Sequence, residues 1–288
     1  MNQIDKFSED ETAKILFELE DKAKIESVII EQQTTISICI STQVGCPVGC
    51  KFCRSGESYT RNLSKEEIMG QIDEVNKIIG ETEKKKSIVF MGIGEPLLNL
   101  ENLAETIKEL CVTRKQQFSK RRITVSTVGI PEKIIELGER TKKMMRDDNA
   151  TVNLAISLHF TNDTLRQKYI PIAKKYPIEE IFSACKKFQD MGSKKQSIMF
   201  EYIMLKGIND SEEDIGKLIG FIKKYEIRAL VNLIPYNGSD DSGFKATSDE
   251  KIKEYKQTII KEGIKCFVRL SRGRNINAAC GMLASKNR

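Results

Sequence analysis

The sequence predicts an α/β fold, arranged as a partial barrel of six β/α units. From Ser87 onward, short runs rich in β-branched residues alternate with longer amphipathic stretches, as strands and helices do around a parallel sheet. Six units are fewer than the eight of the usual closed barrel, so we expect an open one. Polar and glycine-bearing segments follow several of the strands directly, where α/β enzymes carry their chemistry.

Six runs of β-branched and apolar residues are the predicted barrel strands, at residues 36–41, 87–91, 122–127, 152–158, 198–205 and 230–234. The amphipathic stretches predict helices at residues 64–79, 100–110, 131–137, 178–191, 211–224 and 248–262. Ser64 with Glu67 fits a capping box at the start of the first helix. Upstream, residues 26–31 and 34–39 predict two strands joined by a polar turn. We therefore expect a short N-terminal hairpin extension in residues 1–35 and the barrel in residues 36–288.

The composition is that of a globular protein. Hydrophobic residues make up 40% and charged residues 31% of the 288 residues, which is too apolar for a disordered chain. The first 25 residues contain no continuous apolar run of the kind an export signal requires, and no later stretch predicts a membrane span. We expect a cytoplasmic protein. In that compartment the eight cysteines are expected to bind metal or to act in catalysis rather than to form structural disulfides.

The charge balance is basic. The formal net charge is +6, and basic clusters occur at residues 84–86, 120–122 and 269–274. This surplus is compatible with a nucleic-acid partner. Lysines that merely solvate helix faces would give the same counts, so the charge leaves both interpretations open.

Three cysteines, Cys46, Cys50 and Cys53, lie in one glycine-bearing loop soon after the first barrel strand. Thiolates at such spacing are typical ligands of an iron–sulfur cluster. Three thiolates leave one iron of a [4Fe-4S] cluster without a protein ligand, and this iron can chelate the amino and carboxylate groups of a methionine moiety. The alternative, a structural zinc site, needs a fourth ligand, and the only histidine, His159, is far along the chain.

Polar residues at the ends of the next strands predict a ligand site on the same rim. Gly94 and Glu95 follow the second barrel strand, where glycine lets the backbone approach a ligand and the carboxylate can accept from an ammonium group. Ser126 lies at the end of the third strand. A hydroxyl there can also satisfy a local backbone group, and that alternative stays open.

The fourth and sixth strands end in further candidates. Ser157, Leu158 and His159 close the fourth strand, and Asn237 follows the sixth, where its amide can pair with a ribose hydroxyl. A buried structural histidine and a turn asparagine are the competing interpretations.

Taken together, these segments resemble the RlmN and Cfr family of radical S-adenosylmethionine methyltransferases. The order and spacing of the motifs agree from residue 22 to residue 284. The matching stretches are residues 43–53, 91–99, 123–129, 154–159, 201–202, 232–237 and 278–281.

The resemblance implies a partial barrel of the radical S-adenosylmethionine type, with a [4Fe-4S] cluster on the three loop cysteines and S-adenosylmethionine as the second cofactor. It implies that Cys280 and Cys39 are the catalytic thiols and that Glu26 is a proton acceptor. The contacts to S-adenosylmethionine that it implies are Gly94, Glu95, Ser126, Ser157, Leu158, His159 and Asn237.

In the mechanism that the resemblance implies, Cys280 first accepts a methyl group from one S-adenosylmethionine. A radical generated from a second S-adenosylmethionine then activates the carried methyl for addition to an adenine ring carbon. Glu26 removes the ring proton, and Cys39 attacks the Cys280 sulfur. Methylated RNA leaves, and the two thiols remain as a disulfide that a reductant must reopen.

The implied substrate is ribosomal RNA, with transfer RNA as a further substrate and C2 of adenine as the expected position. The implied partners are RNA and an electron donor such as flavodoxin or ferredoxin, and we expect a monomer. Methylation at C8 stays open, as does an RNA-binding protein whose cluster is only structural. A different acceptor also stays open, because 25 residues precede Glu26 here, whereas the family carries a helical accessory domain there.

Overall fold

A sheet of ten strands runs through the part of the chain that the structure describes. The computed structural model describes residues 1–114, 118–144, 151–237, 243–269, 273 and 275–284. The first four strands follow one another in the sheet as an antiparallel meander. They are β1 Asn2–Glu9, β2 Thr12–Glu18, β3 Lys24–Glu31 and β4 Thr35–Cys39.

From β4 onward every neighbouring pair of strands in this sheet is parallel. The parallel strands continue with β7 Lys85–Phe90, β8 Ile123–Thr127, β9 Asn153–Ser157, β10 Ile198–Met204, β11 Ala229–Pro235 and β12 Lys265–Val268. All six predicted barrel strands are present, so the α/β partial barrel is confirmed. The seventh parallel strand, β12, was not predicted: it is four residues long and lies at the sheet edge, with only Cys266 fully buried.

Helices cover the outside of the parallel strands and bury their apolar faces against them. The predicted helices are present as α1 Lys65–Ile79, α2 Leu100–Lys108, α3 Pro131–Lys143, α5 Ile178–Met191, α6 Glu212–Lys224 and α7 Asp249–Lys261. The short helix α4 Asp163–Tyr169 was not predicted. The predicted capping box is confirmed, because the Ser64 side chain accepts from the Glu67 N–H and the Glu67 carboxylate accepts from the Ser64 N–H.

The N-terminal region contains more strand than the sequence indicated. The predicted pair of strands is confirmed as β3 and β4, but β1 and β2 precede it. Strand β1 is exposed along almost its whole length, so it lacks the alternating burial by which a strand is recognised. The boundary at residue 35 stays a prediction, and β3 and β4 pair across it.

A buried glutamine of α1 ties the antiparallel strands to the barrel. The Gln71 Oε1 accepts from the Ser27 hydroxyl at 2.9 Å and from the Ser41 N–H at 3.0 Å, and its amide donates to the Ser41 carbonyl. The Ser41 hydroxyl in turn donates to the Glu26 carbonyl at 2.6 Å. These bonds fix β3 beside the end of β4, where the chain enters the cysteine-bearing loop.

A small two-stranded sheet supports that loop. Strands β5 Gln43–Gly45 and β6 Tyr59–Asn62 pair antiparallel, and the Cys46 N–H donates to the Ser58 carbonyl at 2.8 Å. Gly45 has φ +77°, and a Cβ there would lie 2.0 Å from the Ser58 carbonyl oxygen. Only glycine allows this close approach, which sets the direction in which the loop begins.

Candidate active site

The three loop thiols line one cavity at the carboxyl ends of the parallel strands. Cys46, Cys50 and Cys53 are partly exposed, and all three contribute to the wall of this cavity, which we call the inner cavity. Burial raises the pKa of the Cys46 thiol to about 12, and it raises the pKa of Cys50 and Cys53 as well. Such thiols become thiolates when a cationic metal centre compensates their charge.

Two glycines after β7 allow the backbone to form the cavity wall. A Cβ on Gly92 would lie 2.7 Å from backbone atoms of Ile40. Gly94 has φ +113°, and a Cβ there would lie 2.7 Å from the Gln43 side chain. Gly94 lines the inner cavity, and its contact with a cofactor stays a prediction.

Glu95 is a buried carboxylate at the same wall. Its Oε2 accepts from the Val128 N–H at 2.7 Å, and its Oε1 accepts from the Leu97 N–H at 3.0 Å. Burial raises the pKa of this carboxyl to about 7, while the hydrogen bonds from Val128, Thr127 and Leu97 oppose the increase. A ligand ammonium group in the cavity would favour the ionised form.

Two serines from adjacent strands meet on the cavity wall. The Ser126 and Ser157 hydroxyl oxygens are 3.3 Å apart, and both residues line the inner cavity. In the neighbouring strands, Ser157 is in register with Glu201, and Glu201 is in register with Asn232. The sheet therefore places a row of polar side chains across β9, β10 and β11.

His159 follows β9 in a strained backbone conformation. Its φ is +61°, which is uncommon for a residue other than glycine. Its Nδ1 accepts from the Ile203 N–H at 3.2 Å, so the proton of the neutral ring is on Nε2. Burial lowers the pKa of His159 to about 3, and Arg166 lowers it further. His159, which lines the inner cavity, can therefore donate a hydrogen bond there at neutral pH.

Replacing His159 by asparagine should weaken the dependence of stability on pH. The unfolded histidine takes up a proton below pH 6.5 and the folded one does so only near pH 3, so acid favours unfolding between these values. Asparagine tolerates a positive φ and keeps an acceptor. Between pH 6.5 and pH 5 the wild type should lose on the order of 1.5 kcal/mol more unfolding free energy than His159→Asn. Urea unfolding at both pH values measures this, and equal losses would contradict the buried neutral ring.

Two cavity residues were not proposed from the sequence as site residues. The Glu201 Oε1 accepts from the Asn232 amide at 2.8 Å, whereas its Oε2 is buried without a hydrogen-bond partner in the described residues. The Arg269 Nη1 lies 3.6 Å from this Oε2. Residues 201–202 were noted only as a matching stretch and Arg269 only as part of a basic cluster, because nothing in the local sequence shows that β10 and the end of β12 converge.

Cys280 lies where two cavities meet. It is exposed, and it lines both the inner cavity and a second, outer cavity, as do Ile234 and Arg269. The pKa of Arg269 is raised, chiefly by Cys280 and also by Glu201 and Cys39, while burial opposes the increase. The Arg269 guanidinium therefore lies near both predicted catalytic thiols.

Cys39 ends β4 in a small apolar cluster with Val28, Ile93, Ala278 and Leu283. Burial raises the pKa of its thiol to about 12, Cys280 raises it further, and Arg269 opposes the increase. Cys39 and Cys280 are thus neighbours in space, although they are far apart in the sequence. An attack of one sulfur on the other requires the Cys39 thiol to be activated.

The remaining predicted residues lie outside the described wall of the inner cavity. Leu158 is a core residue whose carbonyl accepts from Arg166. Asn237 lines the outer cavity, and its buried Oδ1 has no hydrogen-bond partner in the described residues. Glu26 pairs with Lys14 at 2.9 Å and accepts from the Ala284 N–H at 3.0 Å. It therefore lies beneath the segment that carries Cys280 rather than in either cavity.

The segment around Cys280 is fastened to the cysteine-bearing loop. The Ser55 hydroxyl donates to the Leu283 carbonyl at 2.8 Å, and the Arg54 N–H donates to the Gly281 carbonyl at 2.9 Å. Together with the bond from Ala284 to Glu26, these contacts hold Cys280 over the inner cavity. Breaking them would move Cys280 away from the loop thiols.

Comparison with known proteins identifies the family. Residues 40–219 match the model of the radical SAM superfamily. The chain is 41% identical over 278 residues to a probable dual-specificity RNA methyltransferase RlmN from Petrotoga mobilis, covering 96% of this chain and 76% of the relative. It belongs to the RlmN family of radical S-adenosylmethionine methyltransferases. The dual-specificity RNA methyltransferase RlmN of Desulfosudis oleivorans is 40% identical over 280 residues, covering 96% of this chain and 72% of the relative.

A solved structure supports the family and the fold. The radical SAM methyltransferase from Sphaerobacter thermophilus superposes with a TM-score of 0.89 at 34% identity, covering 99% of this chain and 81% of that one. The partial barrel of the radical S-adenosylmethionine type is therefore confirmed. No helix among the described residues combines the length and apolar character that crossing a membrane requires.

The cofactors of this family are a [4Fe-4S] cluster and S-adenosylmethionine. The inner cavity fits both, because three thiols line it and its wall also carries the buried Glu95 carboxylate and the Ser126 and Ser157 hydroxyls, which suit the polar groups of S-adenosylmethionine. Cys46, Cys50 and Cys53 would hold the cluster.

Replacing Cys50 by alanine should abolish stable cluster binding, because two thiolates remain for a centre that needs three. Anaerobically reconstituted wild-type protein should contain close to four iron atoms per chain, and the variant should contain only a small fraction of that amount. Cys185→Ala, which removes a buried thiol of α5, is the matched control and should keep its iron. Stoichiometric zinc without iron in the wild type would contradict the assignment.

Proposed function

We propose that the chain methylates a ring carbon of adenine in RNA, at C2, with ribosomal RNA as the substrate and transfer RNA as a further one. The observation that carries this proposal is the position of Cys280 between the inner cavity and the outer cavity. A methyl carrier must meet its donor on one side and its acceptor on the other. The relatives are RNA methyltransferases by name, and this together with the net charge of +6 supports RNA as the acceptor.

The cluster and S-adenosylmethionine, when bound, supply both the methyl group and a radical that can abstract hydrogen from it. An electron-poor adenine carbon does not attack a sulfonium methyl group, so the reaction needs this radical route. In the protein, Glu95 would accept from the ammonium group of S-adenosylmethionine, and His159 and the two serines would bind its other polar groups. Asn237, with its unpartnered Oδ1, would accept from a ribose hydroxyl.

Cys280 would carry the methyl group on its sulfur. Its exposure at the junction of the cavities suits a thiolate that reacts first with a cofactor and then with a base. Arg269 lines both cavities together with Cys280, so its guanidinium places a positive charge at the junction where Cys280 lies. Glu201 would position Arg269 through their contact at 3.6 Å.

Glu26 and Cys39 would complete the reaction. Glu26 would accept the ring proton, and Cys39 would attack the Cys280 sulfur to release the product. Because both Glu26 oxygens are engaged by Lys14 and Ala284, its role requires the segment at Ala284 to shift when RNA binds. That shift would break the contact which holds the Cys280 segment beside β3.

Two finer alternatives are part of the same proposal. Methylation at C8 uses the same residues, and a different acceptor base would alter only what fills the part of the outer cavity lined by Ile30, Gln32 and Ser37. We further propose that the chain works as a cytoplasmic monomer and receives electrons from flavodoxin or ferredoxin.

The test is turnover of anaerobically reconstituted protein with methyl-labelled S-adenosylmethionine, a reductant and RNA from a strain that lacks the gene. Nuclease digestion and mass analysis against C2- and C8-methyladenosine standards should place the label on C2. Label on C8 would change the position and keep the mechanism. No label in any RNA, with label in another acceptor, would refute the RNA assignment.

A further inference from the structure

Four exposed lysines lie in the cysteine-bearing loop and in the segment from α4 to residue 175, part of which packs against the loop. Lys51 lies in the loop itself, and Lys168 lies near the end of α4. Lys174 and Lys175 end the 3-10 turn Pro171–Lys175 that follows α4. All four side chains are exposed, and we refer to them as the lysine patch.

The segments that carry the patch are held firmly against the loop. The Lys51 N–H donates to the Tyr169 carbonyl at 2.9 Å, and the Pro171 ring is 3.8 Å from the position of a Cβ on Gly49. The fully buried Arg166 of α4 donates to the carbonyls of Val128, Leu158 and Tyr176. The patch is therefore a preformed surface.

The charge of this surface is predominantly basic. In residues 46–57 and 163–176 the charged residues that are not buried are the basic Lys51, Arg54, Lys168, Lys174 and Lys175 and the acidic Glu57 and Asp163. The Asp163 Oδ1 accepts from the Ile178 N–H. Within the described residues, the four patch lysines make none of the ion pairs found for lysines such as Lys65 and Lys223. Their charge is thus free to attract an acidic partner.

The patch includes part of the loop that would hold the cluster, because Lys51 directly follows Cys50. Cys46, Cys50 and Cys53 are partly exposed, whereas Cys39, Cys111 and Cys185 are buried. Radical chemistry needs one electron delivered from outside the protein, and the rate of electron transfer falls steeply with distance. A reductant protein must therefore dock close to this loop.

We propose that the lysine patch docks an acidic one-electron carrier protein, which reduces the cluster through the cysteine-bearing loop. One electron leaves the carrier and enters the cluster, and no bond or proton is exchanged. The inference rests on the cluster and is independent of the methyl acceptor. RNA is the less suitable occupant, because the outer cavity that would receive its base is lined by β3, β4 and the Cys280 segment rather than by α4.

The test compares two pairs of adjacent exposed lysines. Lys174→Glu with Lys175→Glu reverses the charge of the patch. Lys194→Glu with Lys195→Glu makes the same change before β10, at the amino ends of the strands, and is the matched control. The measurement is the anaerobic bleaching of the cluster absorbance by reduced flavodoxin, and separately by photoreduced deazariboflavin, an uncharged small reductant.

At low ionic strength, we expect the patch variant to be reduced by flavodoxin at least about tenfold more slowly than wild type, because charge steering sets the association rate. The difference should nearly vanish at 1 M salt, where the Debye length is about 3 Å. Reduction by deazariboflavin should be unchanged, and the control pair should behave as wild type. Carbodiimide coupling should also join flavodoxin carboxylates to Lys168, Lys174 or Lys175, even in protein without its cluster.

Three outcomes would overturn the proposal. Flavodoxin could reduce the patch variant as fast as wild type. Both reductants could be slowed equally, which would assign the effect to the cluster itself. RNA affinity could fall while the flavodoxin rate is kept, which would make the patch an RNA surface. A neutral pair, Lys174→Gln with Lys175→Gln, should show a smaller loss in the same direction.

Discussion

Cys39→Ala is expected to leave the protein covalently joined to its RNA after a single turnover. Cys39 lies in the apolar cluster beside Cys280, so its loss removes the sulfur that would release the product. Radical addition should still proceed, because Cys280 and the inner cavity are unchanged. After nuclease digestion, mass analysis should find a nucleotide-sized addition on the peptide that contains Cys280.

The controls separate this role from a loss of packing. A buried cysteine replaced by alanine costs on the order of 1 kcal/mol through the small cavity it leaves. Cys111→Ala, another buried cysteine, should therefore lose a similar amount of stability and form no adduct. The double variant Cys39→Ala, Cys280→Ala should also form none. A Cys39→Ala protein that folds, binds its cluster and turns over freely would exclude the resolving role.

Cys280→Ala is expected to abolish methyl transfer to RNA while cluster and S-adenosylmethionine remain bound. Its sulfur is the proposed carrier, and no other described thiol lines both cavities. The loss should reach the background of the assay, because no second carrier can take over. Iron content and equilibrium dialysis of S-adenosylmethionine measure the two retained functions. Product formation at the wild-type rate would remove Cys280 from the mechanism.

A second replacement tests whether the sulfur or the side-chain volume matters. Cys280→Ser keeps a small polar side chain at the junction of the cavities but lacks the nucleophilic thiolate. It should be as inactive as the alanine variant. If serine restored turnover, Cys280 would serve to shape the cavity rather than to carry the methyl group.

The local features of this protein could be predicted from the sequence. The strands β4 and β7 to β11 are runs of β-branched and apolar residues, and this pattern depends only on burial along the strand. The cap at Ser64 depends on residues three apart, and the cluster loop depends on three cysteines within eight residues. Short edge elements such as β12 and exposed ones such as β1 bury too little to leave a pattern.

What only the tertiary structure decided is which distant side chains meet. Glu201 faces Asn232 because β10 and β11 pair in that register, and Arg269 reaches Glu201 because β12 adds to the same edge. Cys280 approaches Cys39 because the segment that carries Cys280 is held by two hydrogen bonds, one from the Ser55 hydroxyl to the Leu283 carbonyl and one from the Ala284 N–H to the Glu26 carboxylate. The sequence alone determined which residues could do the chemistry, since thiol, carboxylate and imidazole are properties of single residues. Their distances arise from strand register and long-range packing, which no local pattern records.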